Sequence, residues 1–489
     1  MALKRKTVPF EAWIPDRPVY GGLQSIEAKN VLPAAQGYVC LESPVFMGTA
    51  LADRVVDVLS RKMPDSSICR IVATAGGLYV NDASSWRSLL TGTAVTGTRR
   101  LCLYGDDVYC LYGTRLYRAA YDGGYNDPAE LVEDAPYASC MGVVKDFLVL
   151  GRLSDRPTAV RWSAIDDPTL WPEPGSDSAQ YRMSDRQIFP VGGAVQAIVG
   201  GVGGVDGLVF QEEALTRMTF VGPPYIFQFD PVDRAMGTIA PLSPVVAGPM
   251  CYYLSSSGWK GTNGSSVVDV GRDKVDRWFF EHCAAERIEE VRGTYDRKRG
   301  LCIWAFPGRG CPDYQFNSLL IFSPSESKWT HASVSGELLY SDYASGVSLD
   351  SLDQYSLSVD ALPFKSLDVS ILKNGDNVLS LFGTAHQPGS FSGPALEAVV
   401  DTAEIGGQHM MLHGIRPIVD RGDAECCAMF RDREAEMKRA TPYSRQSRDG
   451  VCYQHRSAAY FSARVKIPAG DSWINGFGCE LLFEEEGGL

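Results

Sequence analysis

Two pairs of side chains have the chemistry of metal ligands. His409 and His413 lie four residues apart, and Cys426 and Cys427 follow them downstream. Imidazole nitrogens and thiolates are ligands that zinc prefers in proteins. Residues four apart share one face only in a helix, however, and the surrounding MMLHGIRPIV has the pattern of a strand. The sequence therefore predicts no metal site, and we expect no cofactor.

Acidic residues are the second chemistry to consider, because a glycosidase needs two carboxyl groups that converge on one bond. The candidates are Glu212, Glu213, Asp230 and Asp233. Glu212 and Glu213 follow the strand-like LVF, where they equally suit a turn. Their spacing gives no sign of convergence, so we assign no catalytic residue and predict that the chain is not an enzyme. A carbohydrate-active or carbohydrate-binding β-propeller is kept as an alternative.

A glycine-rich segment, GGVGGVDG at 200–207, has the composition of a phosphate-binding loop. Such a loop holds its anion at the N-terminus of the helix that follows. Here the following residues, LVF, have the pattern of a strand. The segment is therefore predicted to be a hairpin loop without a bound phosphate.

The elements that carry these residues are short apolar runs separated by glycine-rich turns. The stretch 194–280 is the clearest example, with runs at 195–199, 208–210, 215–220, 245–247, 251–254 and 267–270. Each run is long enough for a strand and too short for a helix. Turn pairs such as Gly203-Gly204 supply the positive φ that tight hairpins need. This pattern predicts antiparallel strands that follow one another in a meander.

The meander recurs along the chain at a spacing of roughly 40–60 residues, which is near the length of propeller blades. We therefore predict an all-β fold built on a β-propeller of about six irregular blades. Two or more β-sandwiches with Greek-key links are the competing architecture.

Composition changes divide the chain into three predicted parts. Residues 1–65 are broken by prolines and anchored by Trp13 and Ile14, which indicates an extended N-terminal arm; 51–59 suits a short helix or a strand. Residues 66–397 form the propeller, with a serine- and aspartate-rich linker or closing blade after 335. Residues 398–489 alternate apolar and charged positions, which predicts a β-sandwich-like C-terminal domain.

Bulk properties narrow the function classes. The 489 residues carry a formal net charge of −13 at pH 7, whereas a protein that grips nucleic acid by its phosphates needs an excess of lysine and arginine. Thirteen scattered cysteines indicate buried free thiols and a reducing compartment. No apolar run reaches the roughly 18 residues of a membrane helix, so we expect no stable membrane insertion.

One succession of motifs resembles a known family. WSAIDDPTLW carries Ser163, Asp167, Pro168 and Trp171, and GLVFQEEALTRMTFVG ends at Gly222. Gly237 and Pro241 come next, followed by YYLSSSGWKGTNG with Gly258 and Gly264 and by VGRDKVDRWFF. Near the start, NVLPAAQGYVC contains Asn30, Pro33 and Gly37; HRSAAYFSARVKI lies near the end. This order is similar to that of the tail nozzle, or packaged-DNA stabilisation, proteins of short-tailed (podovirus-like) bacteriophages.

The resemblance implies a structural virion protein whose propeller subunits form a homo-oligomeric ring, expected to be a hexamer, below the portal and the tail adaptor. Such a ring conducts and retains double-stranded DNA without sequence-specific binding and attaches tail fibres or spikes. The expected location is the phage tail, after assembly in the host bacterial cytoplasm. Trp13, Ile14, Asn30, Pro33 and Gly37 are the candidate docking residues of the arm. Another adsorption or baseplate-like tail component is a further alternative.

Overall fold

The computed structural model describes residues 3–17, 24–65, 67–82, 85–92, 97–344, 375–420, 423–470, 473 and 475–485. Within these residues strands dominate, and the helices are two α-helices, Asp177–Arg182 and Asp276–His282, and the 3-10 helix Ala285–Glu290. The predicted all-β fold is confirmed. No described helix has the length and apolar character needed to cross a bilayer.

Among the described residues, six separate four-stranded antiparallel sheets stand in a ring, which confirms the predicted β-propeller. Blade 1 contains Val55–Lys62, Ile68–Thr74, Gly77–Asp82 and Ser85–Thr91. Blade 2 contains Thr98–Tyr104, Asp107–Gly113, Arg115–Ala119 and Glu130–Leu131. Blade 3 contains Cys140–Val144, Phe147–Gly151, Ala159–Trp162 and Arg186–Ile188. Blade 4 contains Val195–Val202, Val205–Gln211, Leu215–Gly222 and Ile226–Asp233. Blade 5 contains Val245–Ala247, Met250–Ser255, Gly258–Thr262 and Val267–Asp269.

The sixth separate sheet, the closing blade, joins distant parts of the chain. Its strands are Leu338–Tyr343, Asn377–Phe382, Pro388–Ala395 and the N-terminal Glu42–Phe46. Glu42–Phe46 pairs antiparallel with Pro388–Ala395, so an early segment completes the last blade of the ring. Residues 345–374, which include most of the serine- and aspartate-rich segment, lie outside the described residues.

A further four-stranded unit, the bridging meander, lies in the ring between blade 5 and the closing blade. Its strands are Arg292–Asp296, Leu301–Phe306, Ser318–Ser323 and Lys328–Ala332. Trp304 Nε1 donates to the carbonyl of Ser243, next to blade 5, at 2.8 Å. On its other face, Ile303 and Ile321 share an apolar core with Leu381 of the closing blade. Unlike the blades, the meander continues into a larger sheet.

That larger sheet contains fifteen described strands, and the eleven of them outside the meander are here called the C-terminal sheet. Beyond the meander its strands are Lys4–Pro9, Ala28–Lys29, Val31–Pro33, Tyr38–Cys40, Ala398–Asp401, Ile405–Val419, Glu425–Arg431, Arg439–Ala440, Ser444–Arg445, Cys452–Ile467 and Gly476–Glu485. The sixteen-residue strand Cys452–Ile467 pairs with three others, Ala398–Asp401, Ile405–Val419 and Glu425–Arg431. Its buried positions line one apolar core with residues of blade 5 and the meander.

Residues 1–65, predicted as one extended arm, are distributed over three units. The segment 51–59 contributes to the strand Val55–Lys62 of blade 1, so the strand alternative holds there. Glu42–Phe46 belongs to the closing blade, and Lys4–Pro9 pairs with Gly476–Glu485. The predicted boundary at 65 therefore does not coincide with the strand pairing, because the prolines separate strands that each pair with a distant partner.

The thirteen cysteines are all described, and all are free thiols. Nine are buried and four are half-buried. Burial raises the pKa of Cys69 to about 11 and that of Cys251 to about 12, so these thiols stay protonated at neutral pH. The predicted buried free thiols are thus present in the structure.

Candidate functional site

A cavity of about 570 Å3 lies on the propeller axis, where the first strands of the blades begin. Five arginines line it: Arg54, Arg99, Arg100, Arg152 and Arg292. Arg54 immediately precedes the first strand of blade 1, and Arg292 begins the first strand of the bridging meander. Blades 3 and 4 add Ser139 and Gln196. The ring thus gathers basic side chains that are far apart in the sequence at one end of its axis.

Three carboxylates near this cavity already have partners. Asp57 accepts hydrogen bonds from Arg292 Nη2 and from the backbone nitrogens of Val58 and Leu101. Glu290 accepts hydrogen bonds from Nε and Nη2 of Arg287 at 2.9 and 2.7 Å. A third carboxylate, Glu337, accepts from the backbone nitrogen of Val55 at 3.2 Å and lies 2.8 Å from Nδ1 of His386. These acids are consequently engaged in holding the scaffold.

Burial and neighbouring positive charges make the protonated form of two arginines in this cavity less favourable. Burial lowers the pKa of Arg100 to about 10, and the neighbouring charge of Arg292 acts in the same direction. Burial likewise lowers the pKa of Arg54, with a further contribution from Arg99, while its guanidinium carbon lies 3.9 Å from the ring centroid of Tyr314. Like charges held together in a partly buried space favour an anion between them.

A second cavity, of about 690 Å3, lies beside the bridging meander and is called the aromatic cavity here. Its wall includes Trp278, whose ring stacks on His282 at a centroid distance of 4.3 Å. Glu27 also lines it and places Oε1 2.5 Å from Nε2 of His331. The remaining lining residues are Lys29, Glu281, Gly308, Arg309, Asn317, Ser318 and Ser333.

The residues of the WSAIDDPTLW motif form a self-contained loop after the third strand of blade 3. Ser163 is fully buried; its hydroxyl accepts from the backbone nitrogen of Leu148 and donates to the carbonyl of Ala164. Asp167 accepts from Thr169, through both backbone nitrogen and hydroxyl. Trp171 is buried and donates to the carbonyl of Pro168 at 2.8 Å. The motif therefore shapes the scaffold and brings no reactive group together.

Of the other motif residues in the propeller, Pro241 lines the cavity on the propeller axis. The glycines stand where the backbone has a positive φ or where another segment packs too closely for a side chain. Gly222 and Gly264 have positive φ, of +77° and +82°. A Cβ on Gly258 would lie 2.1 Å from Oδ2 of Asp276, and one on Gly237 would lie 2.3 Å from the carbonyl oxygen of Gln211. These glycines allow close approach of neighbouring chain segments.

The candidate docking residues of the arm bind their own chain. Trp13 is 1% exposed and packs edge-on against Trp278 at 4.8 Å, and the backbone nitrogen of Ile14 donates to Ser25. Asn30, at φ +58°, joins two units: its Nδ2 donates to the carbonyl of Glu397, and its Oδ1 accepts from the nitrogen of Ser333.

Pro33 and Gly37 belong to a hairpin at the edge of the C-terminal sheet. Pro33 ends the strand Val31–Pro33 and pairs with Tyr38. A Cβ on Gly37 would lie 2.0 Å from the carbonyl oxygen of Gly476. In this conformation the arm therefore serves as an intramolecular strap between the bridging meander and the C-terminal sheet.

The candidate metal ligands lie on two different strands. His409 and His413 lie on the strand Ile405–Val419, whereas Cys426 and Cys427 are buried on Glu425–Arg431. Within the part of the chain that is described, no three histidine, cysteine or acidic side chains form a group that could hold a metal ion. Asp230 forms an ion pair with Arg217 at 3.0 Å. The segment 200–207 forms the predicted hairpin, with Gly203 and Gly204 between the first two strands of blade 4.

Sequence analysis did not predict the axial arginines. A weak signal was present, because Arg54, Arg99, Arg100 and Arg292 all stand at or just before the first strand of a blade or of the meander. In a propeller the first strands surround the axis, so basic residues at their starts meet in space. The signal becomes readable only when the order of strands within each blade is known.

Comparisons with known proteins show no matching family model and no matching curated protein. Among solved structures, the extracellular domain of a hybrid two-component system protein from B. thetaiotaomicron is similar with 11% identity and a TM-score of 0.30. The match covers 82% of this chain but only 47% of that one, so the chain spans about half of its length. Kluyveromyces lactis Hsv2p matches over 57% of this chain and 96% of its own, with 9% identity and a TM-score of 0.28. Similarity at this level carries no argument about function.

Proposed function

We propose that this protein is a tail nozzle subunit of a short-tailed bacteriophage. Such a subunit joins copies of itself in a ring below the portal and adaptor and acts by its shape. The observation that carries the proposal is the succession of motifs from Asn30 to the final strands, all of which occupy scaffold positions on one propeller with an attached sheet. The ring conducts DNA, retains it in the particle and supports fibres or spikes.

The build of the molecule supports a mechanical role. The strand Ala28–Lys29 pairs in parallel with His331 of the bridging meander and antiparallel with Ala398–Asp401 of the C-terminal sheet. Asn30 adds side-chain hydrogen bonds to both sides of this junction. The propeller and the C-terminal sheet are thereby connected by backbone pairing, which transmits force better than a flexible linker does.

The charge of the chain supports a role as a DNA conduit. A net charge of −13 repels the DNA phosphates, so DNA that passes through a ring of such subunits forms few ion pairs with the protein. Binding without sequence readout needs only geometry and weak electrostatics. The acidic balance thus suits transport of DNA better than capture of it.

Electron microscopy of the phage particles tests the proposal directly. We expect a ring of propeller-shaped subunits, sixfold in symmetry, between the adaptor and the distal end of the tail. Purified protein should join purified adaptor into a ring visible by negative staining, and a mixture without adaptor is the control. Tails that contain no copy of this propeller would contradict the proposal.

A second candidate function is carbohydrate binding, and the aromatic cavity is the observation that favours it. The half-buried indole of Trp278 lines the cavity and can contact the apolar side of a sugar ring, and Asn317 and Glu281 can hydrogen-bond to hydroxyl groups. If this function is correct, host surface polysaccharide binds in calorimetric titration, and Trp278→Ala weakens it at least about 10-fold, roughly 1.4 kcal/mol. Tyr181→Ala, at an 81% exposed tyrosine on a helix of blade 3, is the matched control and should bind normally. Equal binding by both variants would exclude the aromatic cavity.

A further inference from the structure

We propose that the arginine-lined cavity on the propeller axis binds a phosphate-bearing ligand. This inference goes beyond the proposed function and does not depend on it, because it rests on the side chains of a single chain. The cavity volume of about 570 Å3 accommodates a small phosphate compound such as pyrophosphate with its hydration water.

Guanidinium groups in the cavity wall provide donors for an anion. Arg54, Arg100 and Arg152 line the cavity, and among the described residues none of the three forms an ion pair with a carboxylate. Arg100 donates to the carbonyl of Arg99, and Arg152 donates to Oε1 of Gln196 at 2.9 Å. Each guanidinium has five N–H donors, so most of its donors stay open for a ligand.

The cavity wall contains more arginines than carboxylates. Asp57, Glu290 and Glu337 are engaged by Arg292, Arg287 and His386, as described above. Glu289 has no ion pair within the described part of the chain, and the contact of Glu337 with His386 is an ion pair only when the imidazole is protonated. Arg54, Arg100 and Arg152 thus face Glu289 and Glu337, which leaves a net positive charge. This excess of positive charge favours an anionic ligand such as phosphate.

The positions of the arginine donors suit a phosphate group. Arginine forks form paired hydrogen bonds with phosphate oxygens, and phosphate can accept from several forks at once. The arginines reach the cavity from blades 1, 2 and 3, so they approach an axial ligand from different directions. A carboxylate offers only two oxygens in one plane and would satisfy fewer of them. The three-sided arrangement therefore favours phosphate over carboxylate.

Isothermal titration calorimetry of the full chain with inorganic pyrophosphate tests the proposal. We expect saturable binding of one pyrophosphate per chain, with weaker binding of orthophosphate and of citrate. Arg100→Gln and Arg152→Gln should each weaken pyrophosphate binding at least about 10-fold, since each removes a charge-assisted pair of hydrogen bonds. Arg186→Gln is the matched control, because Arg186 lies on the outer strand of blade 3, does not line the cavity and pairs with Asp155.

Arg100→Lys provides a second variant that keeps the charge and separates loss of binding from loss of fold. It should retain part of the affinity, and thermal melting of all variants without ligand should show that they fold. The proposal is overturned if the wild-type chain shows no saturable binding, if citrate binds more tightly than pyrophosphate, or if Arg100→Gln and Arg152→Gln bind like Arg186→Gln.

Discussion

Replacement of Trp13 by alanine is expected to destabilise the junction between the arm, the bridging meander and the C-terminal sheet by about 3–5 kcal/mol, the usual cost of removing a buried tryptophan. The side chain is 1% exposed, its Nε1 donates to the carbonyl of Ile26 at 2.9 Å, and its ring contacts Trp278 and His331. The truncation leaves a cavity and an unpaired carbonyl in the same place.

Hydrogen exchange read by mass spectrometry measures this effect where it occurs. Peptides that cover the strand Ala28–Lys29 should exchange at least about 100-fold faster in Trp13→Ala than in the wild type, since 1.4 kcal/mol corresponds to a factor of ten. Ile14→Ala, at the half-buried neighbouring position, is the control and should change exchange by about 10-fold or less. Unchanged exchange in Trp13→Ala would mean that the arm is held by its backbone pairing alone.

Replacement of Arg464 by leucine is the second change with a large expected effect. Nε and Nη2 of Arg464 donate to the two carboxylate oxygens of Asp401 at 2.7 and 2.8 Å, and the Asp401 side chain is only 3% exposed. Removing the guanidinium leaves a buried carboxylate without its counter-ion. Breaking a buried pair in this way costs about 3–5 kcal/mol, which we expect as a loss in the free energy of unfolding measured in urea.

The cost of this substitution should depend on pH. Burial already raises the pKa of Asp401, and Arg464 acts to lower it, so the variant should have a still higher folded-state pKa. A carboxyl group whose folded-state pKa exceeds its unfolded-state value destabilises the fold when it is ionised. The deficit is therefore full above the folded-state pKa and shrinks as the pH falls through it. We expect a smaller gap between variant and wild type at pH 5 than at pH 8.

An exposed ion pair of the same sheet provides the matched control for Arg464. Arg445 lies 3.0 Å from Glu425, and its side chain is 87% exposed. Because exposed pairs contribute about 0–1 kcal/mol, Arg445→Leu should leave the unfolding free energy nearly unchanged at both pH values. A deficit for Arg464→Leu that is as small as that of Arg445→Leu, or one that grows at low pH, would refute the account of Asp401.

Sequence patterns predicted the elements of this protein well where the signal is local. The hairpin around Gly203-Gly204 occurs as expected. Alternation of side chains, short apolar runs and turn residues are properties of neighbouring residues, so they are visible in one dimension. Because these signals are local, they left the prediction for the segment 51–59 undecided between a helix and a strand. Its apolar spacing suits a helix whereas its three valines favour a strand, and pairing with Ile68–Thr74 decides in favour of the strand.

The partners of each strand were decided by the tertiary structure alone. Glu42–Phe46 completes a blade whose other strands begin at Leu338, and Lys4–Pro9 pairs with Gly476–Glu485. Every strand offers the same backbone donors and acceptors, so hydrogen bonding by itself does not encode which distant strand is the neighbour. The packing of side chains on both faces of each sheet makes that choice, and it depends on the whole ring.

Short antiparallel strands with tight turns, a net negative charge and buried thiols could all be predicted in advance, because each of them follows from residue type and near neighbours. The pairing of the arm with distant strands of its own chain, and the shared cavity of Arg54, Arg100 and Arg152, could be seen only in the folded chain. Convergence on an axis requires the ring to close, and closure joins residues hundreds of positions apart. Contacts between residues so far apart leave no pattern among near neighbours, because the fold of the intervening chain sets their distance and orientation.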